Sequence, residues 1–138
     1  MSPKLSQIML IDDDAINNFI VINNIKKLNI TEDIICALNG KEAIEVLSQN
    51  IASGQPLPDL ILLDINMPIM DGWAFIEEFR KLEATEKPKT NIFMVSSSVY
   101  QEDILKAKEF PEIIEFISKP LKADCIKVIY EKVMLRKA

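Results

Sequence analysis

Residues 60–73 read LILLDINMPIMDGW, and four consecutive aliphatic residues, Leu60, Ile61, Leu62 and Leu63, run straight into one carboxylate at Asp64. An apolar run of this length fits a strand buried on both faces, as in a parallel sheet covered by helices on each side. Such a strand points its last residue at the carboxyl edge of the sheet, where open α/β folds place their ligands. Asp64 is therefore a candidate functional group rather than an ordinary surface acid.

Working outward, four further apolar runs punctuate the chain: Gln7 to Ile11, Asp33 to Leu38, Asn91 to Val95 and Ile113 to Ile117. Each run, like Leu60 to Leu63, precedes a stretch with helical periodicity. The first helix is predicted over Ala15 to Leu28, with one line through Ile16, Phe19, Ile20, Asn23 and Lys27 and a second apolar line through Val21 and Ile25. The next is predicted over Gly40 to Ala52, with Ala43, Ile44 and Leu47 at core spacing. A third follows Asp71 as N-cap and carries Trp73, Ile76, Phe79, Arg80 and Leu82 up to the polar segment ATEKPK, read as a solvated connection. A shorter one spans about Glu102 to Glu109, and the last begins after Pro120 with Ile126, Ile129, Tyr130 and Val133 on one face. Five βα alternations predict an α/β fold: a five-stranded parallel sheet, doubly wound as (βα)5 with right-handed crossovers.

The totals agree with one domain over residues 1–138, core about 6–136, with no output domain attached. Hydrophobic residues make up 49% of the 138, enough for a core without disulfides or structural metal. Cys36 and Cys125 have no CxxC spacing and are expected as packed thiols of a reducing cytoplasm. The formal charge of −5, with basic residues interspersed among acids, argues against direct nucleic-acid binding. The N-terminal apolar segment is too short for a signal or membrane span, which predicts a cytoplasmic protein with no membrane partner. The chain has no histidine, which excludes His-dependent nucleophilic catalysis and His-ligated zinc within it. With Gly40, Gly54 and Gly72 as its 3 glycines, it cannot write a glycine-rich phosphate loop.

In a parallel sheet, whatever follows each strand gathers at one edge regardless of separation in sequence. Asp12, Asp13 and Asp14 follow the first run, Asp64 and Asn66 the third, Ser96, Ser97 and Ser98 the fourth, and Lys119 and Pro120 the fifth. Several carboxylates brought close repel one another unless a cation offsets their charge. An oxygen-only donor set favours Mg2+, or another hard divalent ion such as Mn2+, completed by phosphoryl oxygens. The Ser96 hydroxyl and Lys119 ammonium can both bind phosphoryl oxygens, and Asp64, alone at its strand end, is the best nucleophile, giving an aspartyl phosphate.

Four motifs resemble those of one family, the receiver domains of two-component response regulators: IDDD at 11–14, LLDINMPIMDG at 62–72, VSSS at 95–98 and FISKP at 116–120. The resemblance covers essentially the whole chain. It implies the flavodoxin-like, CheY-like fold with strand order 2-1-3-4-5. Within that pattern Asp64 is the phosphoacceptor, Asp13 a direct metal ligand, Asp12 a ligand mostly through water, and Asn66 a ligand through its backbone carbonyl. Ser96 matches the switch hydroxyl, Lys119 the lysine that contacts the phosphoryl group, and Phe116 the aromatic that turns inward, with a cis bond before Pro120. The implied partners are a histidine kinase or histidine phosphotransfer protein as donor and a downstream protein. Partners would dock on the first helix or on the face of the fourth helix, fifth strand and fifth helix, and the domain would act as a monomer or a phosphorylation-dependent dimer. Such a domain catalyses its own phosphorylation and dephosphorylation and is otherwise not an enzyme.

This sequence departs from the family pattern in three places. Ser stands at 96 for the commoner Thr, Phe at 116 for the commoner Tyr, and PEII precedes the fifth strand where Gly-Ala is frequent. Asp14 reads more simply as the cap of the first helix, and Trp73, Met67 and Met70 as packing residues. Two other functions compete: a degenerate receiver acting as an unphosphorylated adaptor, and an aspartyl-phosphate phosphatase. The phosphatase would need a second acid two residues beyond its nucleophile, where this chain carries Asn66.

Overall fold

A computed structural model of the chain describes residues 3–83, 87–97 and 100–137. Ser98 and the 84–86 part of the polar connection lie outside the described residues. The elements run β1 (Ile8–Ile11), α1 (Ala15–Leu28), β2 (Ile34–Ala37), α2 (Gly40–Ala52), β3 (Leu60–Asp64), α3 (Gly72–Lys81), a 3-10 turn at Lys87–Lys89, β4 (Asn91–Ser96), α4 (Gln101–Ala107), β5 (Ile113–Ser118) and α5 (Ala123–Lys137). The strands form one parallel sheet in the order β2-β1-β3-β4-β5.

The aliphatic run that opened the sequence is buried along its length, and alternate residues serve opposite cores. Ile61 and Leu63 pack with Phe75, Phe79 and Leu47 under α2 and α3, whereas Leu60 and Leu62 pack with Val21, Ile25, Ile126 and Ile129 under α1 and α5. This two-faced burial is why the strand reads as a continuous apolar run instead of an alternation.

On α1 the two apolar lines part company. Val21 and Ile25 are buried at 1% and 0% exposure, while Ile16, Phe19 and Ile20 stand 76%, 68% and 53% exposed. A helix offers the sheet one stripe, and residues 18, 21 and 25 form it at i, i+3 and i+7. The choice is made at the first turns, where the Asp14 carboxylate accepts from the Ile16 and Asn17 amides and the Asn18 side-chain amide donates to the Asp12 carbonyl.

One further expectation is corrected. Cys36 is exposed rather than packed, because β2 is an edge strand with one flank uncovered, and Cys125 is half-buried. The segment before β5 is ordered by Glu112, which forms a two-pronged ion pair with Arg80 of α3, while Arg80 also stacks over the Phe110 ring at 4.6 Å. A charged clamp thus stands where Gly-Ala is frequent in the family pattern. Among the described residues no helix is long and apolar enough to cross a membrane.

Candidate acidic site at the carboxyl edge of the sheet

Asp12 follows β1 directly, Asp13 comes next, and Asp64 is the last residue of β3, the strand paired beside β1. Because those strands are parallel and in register, both acids emerge at the same edge. One carboxylate oxygen from each of Asp12, Asp13 and Asp64 lies within 4.8 Å of the others. Asp12 and Asp64 are buried, at 2% and 8% exposure, and Asp13 is exposed.

Lys119 reaches this cluster from the far side, after β5. Its ammonium stands 2.6 Å from Asp12 Oδ2 and 3.6 Å from Asp64 Oδ2. Its backbone N–H donates to the Ser96 carbonyl at 2.8 Å, tying the lysine to the end of β4, and the Lys119-Pro120 bond is cis. Burial lowers the lysine's proton affinity, but the hydrogen bond and charge of Asp12, joined by the charge of Asp64, outweigh it and hold the ammonium above the ordinary lysine value. Asp64 moves the other way. Burial first, then the Asp12 charge, push its carboxyl up to about 6, against the opposing pull of Lys119 and the Ile65 amide.

Ser96 is buried at 1% exposure and closes β4, one residue further along the strand than the sequence reading placed the strand end. Phe116 pairs with Met94 in the sheet and is half-buried against the α2 and α3 core. Asn66 is exposed two residues beyond Asp64. The structure therefore brings Asp12, Asp13, Asp64 and Lys119 into one cluster, sets Ser96 and Asn66 at strand ends on the same edge, and leaves Phe116 further back in β5.

Two residues absent from the sequence reading support the cluster. The Asn17 side-chain amide donates to Asp12 Oδ2 at 2.9 Å, and that of Asn18 to the Asp12 carbonyl at 2.8 Å. With the Asp14 amide on Oδ1 at 2.9 Å, the Asp12 carboxylate is occupied on both oxygens. The available signal was Asn18 itself, a polar residue on the stripe that α1 buries.

The loop leaving Asp64 is tightly bent. Met70 N–H donates to the Pro68 carbonyl at 2.7 Å, closing a γ-turn around Ile69, whose φ of 69° is a left-handed conformation that β-branched residues seldom adopt. Gly72 then passes so close to the strand end that a Cβ there would stand 2.6 Å from the Asp64 carbonyl oxygen.

The donor set suits a hard divalent ion. All donors are oxygens, and among the described residues three carboxylates face one ammonium, so the cluster keeps a net negative charge that such an ion would offset.

A five-stranded parallel sheet in this order, with an acid cluster and a lysine converging at its carboxyl edge, defines a doubly wound α/β domain whose polar site lies where such folds place their ligands. The profile of the response regulator receiver domain family matches residues 8–131, and the chain belongs to that family. It is 31% identical over 131 residues to the sensor histidine kinase CheAY of Helicobacter pylori, covering 95% of this chain and 15% of that protein's length. It is 32% identical over 116 residues to the chemotaxis protein CheY of Bacillus subtilis, covering 84% of this chain and 88% of that protein. A two-component response regulator from Cytophaga hutchinsonii superposes with a TM-score of 0.86 at 34% identity, covering 95% of this chain and 98% of that one.

Proposed function

We propose that this receiver accepts a phosphoryl group from a partner's phosphohistidine onto Asp64 and uses the resulting change to switch protein contacts, within a cytoplasmic two-component pathway. The observation that carries this reading is the convergence of Asp12, Asp13, Asp64 and Lys119 from three strand ends. In the transfer, an Asp64 carboxylate oxygen forms the new P–O bond as the P–N bond to the donor imidazole breaks, and the imidazole leaves with a proton. Residues 1–138 include no histidine, so the phosphohistidine that donates lies outside them.

Asp13, Asp64 and the Asn66 carbonyl would hold Mg2+ or Mn2+ directly and Asp12 through water, and the ion would offset charge on the transferring oxygens. The three donors already on Asp12 support its indirect role. Lys119, now paired with Asp12, is within a short side-chain movement of a phosphoryl group on Asp64. Ser96 would bind a phosphoryl oxygen through its hydroxyl, and Phe116 would follow that movement. Beyond its own phosphorylation and dephosphorylation the domain performs no turnover.

Of the two docking faces, α1 is favoured for the donor. Ile16, Phe19 and Ile20 form an exposed apolar face on the helix that begins beside Asp13, and an apolar helical surface carrying a histidine fits it.

Incubation with Mg2+ and acetyl phosphate should add one phosphoryl mass to the protein. Persistence of that mass in Asp64→Ala would overturn the assignment, and failure of the native chain to bind beryllofluoride would favour the adaptor reading.

A further inference from the structure

The opposite edge of the sheet differs in charge. Under the amino ends of β4 and β5 lies a cavity of about 380 Å3, floored by Phe79, Pro111 and Ile114 and rimmed by Arg80, Lys87 and Arg136. Arg136 also lines a second cavity of about 430 Å3, with Lys89, Lys137 and Asp59. Five cations thus meet two carboxylates, Asp59 and Glu112, in a chain whose formal charge is −5. The sequence reading saw only interspersed basic residues. The fold gathers the ends of α3 and α5 with the 3-10 turn at Lys87–Lys89 into a cationic cleft made of two cavities that share Arg136.

The cations are unequally engaged. Arg80 is held by Glu112, and Lys137 pairs with Asp59 at 3.1 Å. Arg136 donates through Nε to Asn91 Oδ1 at 2.6 Å, which fixes the guanidinium, and among the described residues no carboxylate pairs with Arg136 or Lys89. The Glu112 carboxyl is held below the usual range chiefly by its hydrogen bonds from Arg80, with a smaller contribution from the charge of Lys87.

We infer that this cleft is a second ligand site, for a small organic phosphate whose apolar body rests on Phe79, Pro111 and Ile114 while its phosphates meet Lys87, Lys89 and Arg136. The first cavity has the size of small-ligand pockets, with an apolar floor and a few placed polar groups. A fixed guanidinium flanked by lysines matches phosphate oxygens better than a single carboxylate. The site lies at the far end of β3 and β4 from Asp64, so a ligand there is compatible with phosphorylation.

The test is calorimetric titration of the full chain in EDTA, so that no metal complex forms at the acidic edge. The probes are ADP, pyrophosphate for phosphates without a body, and adenosine for a body without phosphates. ADP is expected to bind saturably and more tightly than pyrophosphate, with no binding of adenosine. Lys89→Gln, at an exposed position, should weaken ADP with the melting temperature unchanged, and Lys89→Gln with Arg136→Gln should weaken it about tenfold at temperatures well below a melting point lowered by loss of the Arg136 bond to Asn91, while acetyl phosphate labelling of Asp64 stays unchanged. Absence of saturable ADP binding, undiminished binding by the double variant, or pyrophosphate binding as tightly as ADP would each overturn the inference.

Discussion

Lys119 and Asp12, separated by 107 positions in the chain, meet at 2.6 Å between ammonium and carboxylate at the carboxyl edge of the sheet. The lysine also stands 3.6 Å from Asp64, so one cation serves two largely buried carboxylates. Burial of both acids is tolerable only while that charge is present.

Replacing the cation tests this directly. Lys119→Met should lower the stability of the metal-free protein by about 3 kcal/mol, because it leaves two carboxylates uncompensated, and added Mg2+ should recover part of the loss. Urea denaturation with and without Mg2+ measures both effects. Unchanged metal-free stability would mean that the pair does not hold in solution.

Asp64 predicts a pH dependence. Its carboxyl in the folded protein lies at about 6, above the unfolded value of about 3.9, so between these limits the folded state binds more protons than the unfolded one. Metal-free stability should therefore fall as pH rises from about 4 to about 6, by about 2 kcal/mol, with the full penalty present above about 6. Asp64→Asn should remove this slope and melt higher than the native chain at neutral pH in EDTA. Thermal melts across that range decide it.

Asn17 holds Asp12 without standing among the expected metal ligands. Asn17→Ala should cost about 1 kcal/mol through the lost hydrogen bond and weaken Mg2+ binding about tenfold by loosening the carboxylate it orients. Calorimetric Mg2+ titration reports the second effect separately from the first.

The loop after Asp64 yields a pair of opposite outcomes. Gly72→Ala forces a Cβ against the Asp64 carbonyl oxygen and should destabilise by about 3 kcal/mol while impairing acetyl phosphate labelling. Ile69→Gly should stabilise by about 1 kcal/mol, since glycine has no Cβ to strain at positive φ and the Ile side chain is 79% exposed with little packing to lose. Chemical denaturation of both variants gives the two signs.

Phe19 separates docking from chemistry. Phe19→Asp should change stability by less than about 0.5 kcal/mol at its exposed position, leave acetyl phosphate labelling intact, and sharply reduce transfer from a phosphohistidine protein. Equal transfer by the variant would move the donor surface away from α1.

The elements themselves were legible because they obey local rules. The bounds of α1 and α2 match their periodicity, and the caps at Asp14 and Asp71 follow from residue type. The acids, the serine and the lysine could be assigned to one edge because parallel strands all end on the same side. The order of the strands was not in the periodicity; it came from the family resemblance, since a local pattern carries no information about which strand lies beside which.

Other features required packing. Nothing local distinguishes the Val21 and Ile25 stripe of α1 from the Ile16, Phe19 and Ile20 face, because both are apolar at helical spacing; the sheet and the Asn18 hydrogen bond to Asp12 make the choice. Nothing local marks Asn17 as a partner of Asp12 until the fold brings the two within reach, and the five cations of the amino edge are dispersed until α3 and α5 end beside β4. By itself the sequence determined the elements and which polar groups stand at the strand ends, because helix and strand periodicity and side-chain chemistry are properties of neighbouring residues. Only the tertiary structure decided which faces are buried, what orients Asp12 and where positive charge accumulates, because these depend on distances between residues that the chain order leaves far apart.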